Sequence, residues 1–317
     1  MVALGLRPRA AVILVPYLWL TIFFVVPCLI ILKISLAQTL IAQPPYTPML
    51  GPDSVPHEQL FDNFKRLGQD FLYIIAYGNS LKLAAISTVL CLLIGYPMAY
   101  GIARCSPSTR SLLLLAIILP FWTSFLIRVY AWMSILGKEG VYNKFLDAIN
   151  YNWFAQNFND LLIFLHVTSE PYLSLAPLQI LYTPTAMYIG IVYAYLPFMI
   201  LPLYSNLEKM DLSLLEAAAD LGCRPFKAFC VITIPLSLPG IIAGSLLVFI
   251  PAVGEYVIPE LLGGPDALMI GRVVYNEFSQ NRDWPMSSAV AVAILLALVI
   301  PIMLFQYFQN KAQEAPK

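Results

Sequence analysis

The chain has 317 residues, of which 60% are apolar and 11% are charged, and its mean hydropathy is +0.77. Soluble globular proteins carry about 25% charged residues. The composition therefore excludes a soluble globular protein and indicates a membrane protein that crosses the bilayer several times as helices. The formal net charge is zero, which suggests no nucleic-acid partner.

Six apolar segments are long enough to cross a membrane, because a helix needs about 20 apolar residues to span the hydrocarbon core. They cover residues 11–36, 80–103, 112–136, 185–206, 239–257 and 287–308. The predicted fold is an all-α, polytopic membrane protein with six transmembrane helices. The first segment is longer than the apolar part of a signal peptide, so we expect it to be retained.

The loops between these segments predict the orientation of the chain. Eight basic residues lie in the long segments of one side, and nine lie in the much shorter loops and terminal segments of the other. The nine are Arg7, Arg9, Arg104, Arg110, Lys209, Arg224, Lys227, Lys311 and Lys317. Short loops rich in Lys and Arg stay in the cytoplasm, so both termini are predicted to be cytoplasmic. The predicted organisation is a stub with the first helix (1–36), an outer loop (37–76), a transmembrane domain (77–308) and a cytoplasmic tail (309–317).

The segment between the fourth and fifth spans carries its own helix signals. Ser213 and Glu216 have the spacing of a capping box, in which each side chain accepts a hydrogen bond from the backbone N–H of the other residue. Gly222 suits the left-handed conformation that ends many helices. These signals predict a helix over 214–221.

The predicted helix is amphipathic. Its apolar residues recur at helical spacing, and they are Leu207, Met210, Leu214, Ala218 and Leu221. One interpretation is a helix that docks in a groove of a partner protein, which the slim alanine run at 217–219 would allow. The other is a helix that lies in the lipid headgroup layer and joins two spans.

The common catalytic motifs are absent from the sequence. It contains neither the P-loop pattern G-x-x-x-x-G-K-[ST] nor the metal motif H-E-x-x-H, and its only histidines, His57 and His166, fall in predicted outer segments. No convincing pair of nucleophile and base meets at membrane depth. We therefore expect neither catalysis, nor a cofactor, nor a metal site in this chain.

Charged residues near membrane depth are informative, because each costs several kcal/mol unless it is paired or faces water. One interpretation places Glu255 and Glu260 at an aqueous cavity that receives a cation between aromatic walls. The candidate pathway residues are Glu255, Tyr256, Glu260, Trp122, Arg128, Tyr130, Tyr193 and Asp283. The alternative pairs Arg128 with Glu255 as an internal salt bridge and treats the aromatic residues as an interfacial belt.

A motif in the segment before the fifth span resembles a known one. It reads E-A-A, three residues, G, nine residues, I, one residue, an aliphatic residue and P, as Glu216-Ala217-Ala218, Gly222, Ile232 and Ile234-Pro235. The pattern is similar to the EAA loop of the type I importer permeases of ATP-binding-cassette (ABC) transporters. The resemblance implies a coupling helix at 213–222 that sits in a groove of an ATP-hydrolysing subunit. The residues implied in coupling are Leu214, Glu216, Ala217, Ala218, Leu221, Gly222, Arg224 and Pro235.

Three further blocks, which begin at Ala84, Leu119 and Gly244, resemble the spermidine/putrescine permease subunits of that family. The resemblance implies a type I ABC importer permease fold, a place in the bacterial inner membrane and a polyamine as the substrate. It also implies a complex with a second permease subunit, two ATPase subunits that bind ATP and Mg²⁺, and a periplasmic substrate-binding protein. Transport would then follow alternating access, with ATP hydrolysis in the partner subunits.

Other functions stay open at the level of sequence. The chain could be an importer permease for another small cationic solute, a self-contained secondary transporter or a membrane scaffold. A secondary transporter commonly shows inverted repeats as matching broken spans in its two halves. The sequence does not display that symmetry.

Overall fold

The structure is a computed structural model, and it describes residues 8–48, 56, 59–164, 171, 173–174, 177–265 and 267–314. Arg7 and Lys317, two of the basic residues that predict the orientation, lie outside these residues, as do His57 and His166. The described residues form helices joined by turns, together with one isolated β-bridge. This confirms the prediction of an all-α protein.

The chain divides into two compact units. One consists of Met1–Tyr77 and Val273–Ile300, and the other of Gly78–Arg272 and Pro301–Lys317. Three of the described helices contribute to both units, and they are α4 (Phe71–Arg104), α14 (Ile270–Ser279) and α15 (Trp284–Glu314). The division predicted from the sequence, into an outer loop and a transmembrane domain, describes location relative to the membrane rather than compactness. It stays a prediction.

The first unit begins with a long apolar helix. A π-helical turn, Thr21–Val25, joins α1 (Pro8–Leu20) to α2 (Val26–Ser35), so that Ile13–Ser35 forms one apolar helix of 23 residues. The short helix α3 (Asp62–Gln69) precedes α4. The long apolar helix confirms the first predicted span.

Two tyrosines on α4 tie the first unit together. The hydroxyl of Tyr73 donates to the carboxylate of Glu277 on α14 at 2.9 Å. The hydroxyl of Tyr77 donates to the backbone carbonyl of Val290 on α15 at 2.8 Å. Tyr73 is buried and Tyr77 is half-buried, and the hydroxyl group of each finds an acceptor, as shielded hydroxyl groups require.

The second unit holds the helices on which most of the predicted functional residues lie. Those that belong to it alone are α5 (Pro107–Ile118), α6 (Phe125–Leu136), α7 (Val141–Ala148), α8 (Tyr151–Phe164), α9 (Pro184–Leu207), α10 (Ser213–Asp220), α11 (Pro225–Ala228), α12 (Ile234–Val253) and α13 (Val257–Leu262).

Hydropathy predicts most of the membrane spans correctly. In the described part of the chain, five helices are long and apolar enough to cross a membrane, and they are Ile13–Ser35, Phe71–Arg104, Pro184–Leu207, Pro225–Val253 and Trp284–Met303. They confirm the predicted first, second, fourth, fifth and sixth spans. The fifth starts earlier than predicted, because α11, a π-helical turn and α12 form one continuous helix.

The predicted third span, 112–136, is broken rather than one continuous helix, and it counts as a sixth span if the bent pair crosses the membrane as one. Its two parts, Pro107–Trp122 and Phe125–Ala148, meet at an angle of 92°. Pro120 lies in a 3₁₀ turn at the break. The N–H and the hydroxyl of Thr123 both donate to the Pro120 carbonyl, at 3.2 and 2.7 Å. These local bonds replace the helical hydrogen-bond ladder, so the helix ends there.

Helices α9 and α12 pack closely and antiparallel, because glycines leave room at their contact. A Cβ atom at Gly244 would lie 2.8 Å from the sulfur and 3.0 Å from the backbone oxygen of Met199. A Cβ atom at Gly240 would lie 3.1 Å from the carbonyl oxygen of Pro202. Small residues at such positions let membrane helices approach to backbone contact. The contact holds α9 and α12 as one rigid pair.

Replacing Gly244 by Ala is expected to destabilise the chain by about 1–3 kcal/mol, because the added methyl group meets a backbone carbonyl that cannot rotate away. The matched control is Gly101→Ala on α4, where a Cβ atom would meet nothing within 4 Å. The control should be neutral or should stabilise by up to about 1 kcal/mol through helix propensity. Thermal unfolding in detergent, followed by circular dichroism, compares the two midpoints. Equal midpoints would contradict the close contact.

Candidate functional site

The predicted coupling helix is present as α10, but its start differs from the prediction. The helix runs from Ser213 to Asp220, with Leu212 as its N-cap and no side-chain cap hydrogen bond. The capping box of Ser213 and Glu216 is therefore wrong, because Ser213 is already helical and the Glu216 N–H donates to the Leu212 carbonyl at 3.2 Å. The carboxylate of Asp211 accepts from the Ser213 N–H instead, at 3.0 Å. This bond holds the pKa of the Asp211 carboxyl below its usual value.

The end of α10 confirms the predicted glycine stop. Gly222 has a φ of +76°. Its N–H donates to the Ala219 carbonyl at 2.8 Å, and the N–H of Cys223 donates to the Ala218 carbonyl at 2.9 Å. These two bonds form a Schellman motif, which satisfies the last carbonyl groups of the helix. A Cβ atom at Gly222 would meet nothing within 4 Å, so the backbone conformation alone demands glycine here.

The surface around α10 is open and partly apolar. None of its eight residues, all of them described, is buried. Leu221 is 89% exposed, and Leu214 is also exposed. Phe226 on α11, which the sequence analysis did not select, is 79% exposed on the same loop. Its position directly after Pro225, within the predicted loop, was the feature of the sequence that could have indicated its exposure.

The remaining predicted coupling residues continue the loop. Ala217 and Glu216 are exposed on α10, and Ala218 is half-buried. Arg224 is the N-cap of α11, and Pro235 lies in the first turn of α12 after the π-helical turn. These residues thus follow one another from α10 to the start of α12. Their role in coupling stays a prediction.

Glu255, the central residue of the predicted pathway, is held at the turn between α12 and α13. Its Oε2 atom accepts from the hydroxyl of Tyr195 on α9 at 2.5 Å. Its Oε1 atom accepts from the backbone N–H groups of Val257 and Ile258, at 3.1 and 3.4 Å. The carboxylate therefore lies at the N-terminus of α13, where the helix dipole favours negative charge. The structure makes Tyr195 the direct partner of Glu255.

The alternative salt bridge between Arg128 and Glu255 is wrong. Both oxygen atoms of Glu255 are occupied by neutral donors, while the Arg128 guanidinium lies over the rings of Phe121 and Phe125, at 5.2 and 5.7 Å. The buried Nε atom of Arg128 has no hydrogen-bond partner among the described residues. An aromatic contact of this kind partly compensates a cation that has no anion beside it.

Glu260 differs from Glu255 in that a cation neutralises it. The Nε atom of Arg272 lies 2.7 Å from a carboxylate oxygen of Glu260. The same guanidinium donates to the carbonyl groups of Gly264 and Pro265, at 2.9 and 3.2 Å. The pair stabilises the turn that follows α13. The positions of Glu260 and Arg272 in the sequence could not show that they meet.

The predicted aromatic walls are only partly assembled. Tyr193 on α9 packs edge-on against Trp132 at 5.4 Å. Trp122 is 74% exposed and Tyr130 is also exposed, on either side of the break between α5 and α6. Tyr256 directly follows Glu255 and is half-buried.

A second row of aromatic contacts was not expected from the sequence. The ring of Tyr195 lies 6.0 Å from that of Phe198, which packs edge-on against Phe121 at 5.2 Å. This row connects the partner of Glu255 to the ring beneath Arg128. The spacing of aromatic residues along the sequence cannot by itself distinguish such a row from ordinary packing of apolar residues.

Asp283 belongs to the first unit and directly precedes α15. Its Oδ1 atom accepts from the Thr39 hydroxyl at 2.6 Å and from the Met286 N–H at 3.0 Å. A guanidinium nitrogen of Arg66 lies 3.7 Å from its other oxygen. The carboxylate therefore caps a helix and anchors a loop. A substrate contact for Asp283 stays a prediction.

The fold is that of a type I ABC importer permease, as the sequence predicts. It is similar to a solved structure described as the crystal structure of a bacterial alginate ABC transporter in complex with an alginate pentasaccharide-bound periplasmic protein. The TM-score is 0.66 at 18% identity, over 97% of this chain and 95% of that chain.

Residues 3–314 match the family described as binding-protein-dependent transport system inner membrane component, and the chain belongs to this family. It is 38% identical to the spermidine/putrescine transport system permease protein PotB of Haemophilus influenzae, over 92% of this chain and 90% of that protein. It is 41% identical to PotB of Escherichia coli, over 78% of this chain and 81% of that protein. The chain is thus a multi-pass inner-membrane permease, which argues against a self-contained secondary transporter.

Replacing Gly222 by Val is expected to uncouple transport while the protein stays in the membrane. A β-branched residue at this positive φ costs about 1–2 kcal/mol in backbone strain and favours a different end for α10. Gly222→Asn is the matched control, because asparagine tolerates the left-handed conformation. Solute uptake and ATP hydrolysis by the reconstituted transport complex, with immunoblots of membrane abundance, compare the two. Normal coupling in the valine variant would contradict a rigid helix end.

Proposed function

We propose that this chain is a permease subunit of an ATP-driven polyamine importer and forms one half of its translocation pathway. The observation that carries the proposal is the environment of Glu255. Its hydrogen-bond partners are a tyrosine hydroxyl and two backbone N–H groups, and within the described residues no ion pair involves it. Hydrogen bonds orient its carboxylate, but no cationic side chain among the described residues neutralises it.

An uncompensated carboxylate in a transport protein suits a cationic substrate. A polyamine is a flexible chain of ammonium groups, and each group gains from a nearby carboxylate and from the face of an aromatic ring. Glu255, Tyr195 and the adjacent Tyr256 supply these features at one turn. The similarity to the PotB proteins over most of the chain supports the same substrate class.

The charged residues near this turn have different roles in the proposal. Glu260 is neutralised by Arg272, so we assign it to holding the turn rather than to binding an ammonium group. Arg128 repels cations, and we assign it no direct ammonium contact. Trp122, Tyr130, Tyr193 and Asp283 remain secondary candidates for the pathway.

We propose a complex with a second permease subunit, two ATP-hydrolysing subunits and a periplasmic substrate-binding protein. ATP and Mg²⁺ would be bound by the ATPase partners, and this chain would hold no cofactor. The exposed apolar residues of α10 and α11 support docking of an ATPase at this loop. The basic residues of the short loops support cytoplasmic termini and a cytoplasmic α10.

In this proposal α10 is the element of the permease that first responds to the ATPase partner. Closure of the ATPase partner displaces α10, and α10 is joined to both members of the rigid α9–α12 pair. Tyr195, near the middle of α9, contacts Glu255, which lies just beyond the far end of α12. A displacement at the cytoplasmic end therefore changes the environment of the carboxylate, which is what alternating access requires.

A second candidate is an importer permease for another small cationic solute. The observation that favours it is that the described turn offers one uncompensated carboxylate, which would suffice for a single cationic group. Length selectivity for a polyamine would then need groups from the other permease subunit.

The deciding experiment is uptake of radiolabelled putrescine and spermidine by the complex reconstituted with its ATPase and binding-protein partners. We expect ATP-dependent uptake of at least one polyamine, and competition by unlabelled polyamine but not by choline. Failure of both polyamines to enter, together with stimulation of ATP hydrolysis by another cation, would favour the second candidate.

Replacing Glu255 by Gln is expected to raise the KM for polyamine uptake roughly tenfold or more, because a hydrogen bond to a charged group contributes about 1.5–3 kcal/mol. The matched variant Tyr195→Phe keeps the charge and removes one neutral donor, so its KM should change much less. Membrane abundance and complex assembly should be similar in both. If Glu255 is only structural, both variants will lower abundance and leave the KM unchanged.

A further inference from the structure

An ion pair at the end of α9 joins three helices next to the predicted coupling helix. Glu208 is the C-cap of α9, and its Oε1 atom accepts from Nη1 of Arg110 at 2.6 Å. Arg110 lies in the first turns of α5, and its Nη2 atom donates to the carbonyl groups of Ala103 and Cys105, at 3.0 and 3.4 Å. One guanidinium on α5 thus contacts the end of α4, the turn between α4 and α5, and the end of α9.

The electrostatics of this junction explain why an arginine is needed. The C-termini of α4 and α9 both present partial negative charge, and the Glu208 carboxylate adds a full charge where the dipole of α9 disfavours it. The planar fork of Arg110 can reach a carboxylate and two carbonyl groups at once, which a lysine ammonium on a flexible stem cannot reproduce. The Arg110 side chain is partly shielded from water, whereas that of Glu208 is exposed.

The junction also has one unsatisfied donor. The Nε atom of Arg110 is buried and has no hydrogen-bond partner in the part of the chain that the structure describes. A buried donor without an acceptor is a cost that a different arrangement of the junction could remove.

Glu208 is connected to α10 by a short and ordered segment. The N–H of Met210 donates to the Leu207 carbonyl at 3.3 Å, and Asp211 accepts from the N–H of Ser213 at 3.0 Å. These bonds leave little freedom between the end of α9 and the first residue of α10. A displacement of α10 therefore reaches Glu208 directly.

The other end of the coupling loop reaches the same helix. Phe229, in the π-helical turn after α11, packs edge-on against Tyr96 and Tyr100 of α4, each at 5.7 Å. The segments on both sides of α10 therefore contact the last turns of α4, one through the guanidinium and one through the aromatic rings.

We propose that the Arg110–Glu208 ion pair is a positioning contact that carries the displacement of α10 to the ends of α4 and α5. This inference rests on the proposed function, in which α10 docks on an ATPase. Neither residue touches the transported solute. The pair sets how much of the movement of the ATPase becomes movement of the pathway.

The test compares uptake with ATP hydrolysis in the complete reconstituted complex. We expect Arg110→Gln and Glu208→Gln each to lower the ratio of solute imported to ATP hydrolysed by roughly fivefold or more, the usual lower range of a coupling between sites. Hydrolysis itself should stay within about twofold of the original complex. The matched control is Lys65→Gln, which breaks an exposed ion pair with Asp62 in the other unit and should leave the ratio unchanged.

Charge exchange separates a positioning role from a structural one. The double variant Arg110→Glu with Glu208→Arg restores opposite charges, and it should recover part of the ratio that either single reversal loses. If the arginine variants fail to assemble, Glu208→Gln decides the question, because it keeps the bonds of Arg110 to both carbonyl groups. An unchanged ratio in Glu208→Gln, or uptake and hydrolysis that fall in proportion, would overturn the proposal.

The outcome is independent of which solute the complex carries. The ratio can be measured with any solute that stimulates hydrolysis by the unaltered complex. Absence of polyamine uptake in that complex would count against the proposed function. A normal ratio in the variants, measured with the solute that is transported, would count against the ion pair.

Discussion

The close contact between α9 and α12 is the constraint on which the second unit depends. Gly240 and Gly244 remove the side chains that would hold the two backbones apart, so the helices meet at Met199 and Pro202. In a bilayer no hydrophobic driving force favours this contact over lipid, and the close fit itself must supply the attraction. The antiparallel pair then places Tyr195, near the middle of α9, beside Glu255, which follows the end of α12. It holds both connections of α10 at the opposite end of α9.

Charge balance separates the roles of three carboxylates in the second unit. Glu208 and Glu260 each face an arginine, at 2.6 and 2.7 Å, and each pair ties helix ends or a turn together. Glu255 instead faces a hydroxyl and two backbone donors, which orient the carboxylate without cancelling its charge. Since an uncompensated charge near membrane depth is expensive, a binding role gives a physical reason for it.

The sequence predicted the spans better than their internal geometry. Hydropathy depends only on composition over about 20 residues, which is why five spans were predicted correctly. The break near Pro120 was missed because membrane helices often tolerate proline. Whether the helix ends there depends on which carbonyl group accepts from Thr123. The capping box failed for a related reason. Its spacing was present, but the helix began at Ser213 and Asp211 accepted the bond that the motif would have made.

The sequence by itself determined the all-α membrane architecture and the glycine-ended helix between the fourth and fifth spans. Both follow from local properties, namely apolar run length and the backbone freedom of Gly222. Only the tertiary structure decided which charged groups meet. Arg128 and Glu255 were plausible partners by charge, yet Glu255 lies with Tyr195 and Arg128 lies over Phe121 and Phe125. The packing of α9, α12 and α13 fixes those distances, and no linear spacing encodes them.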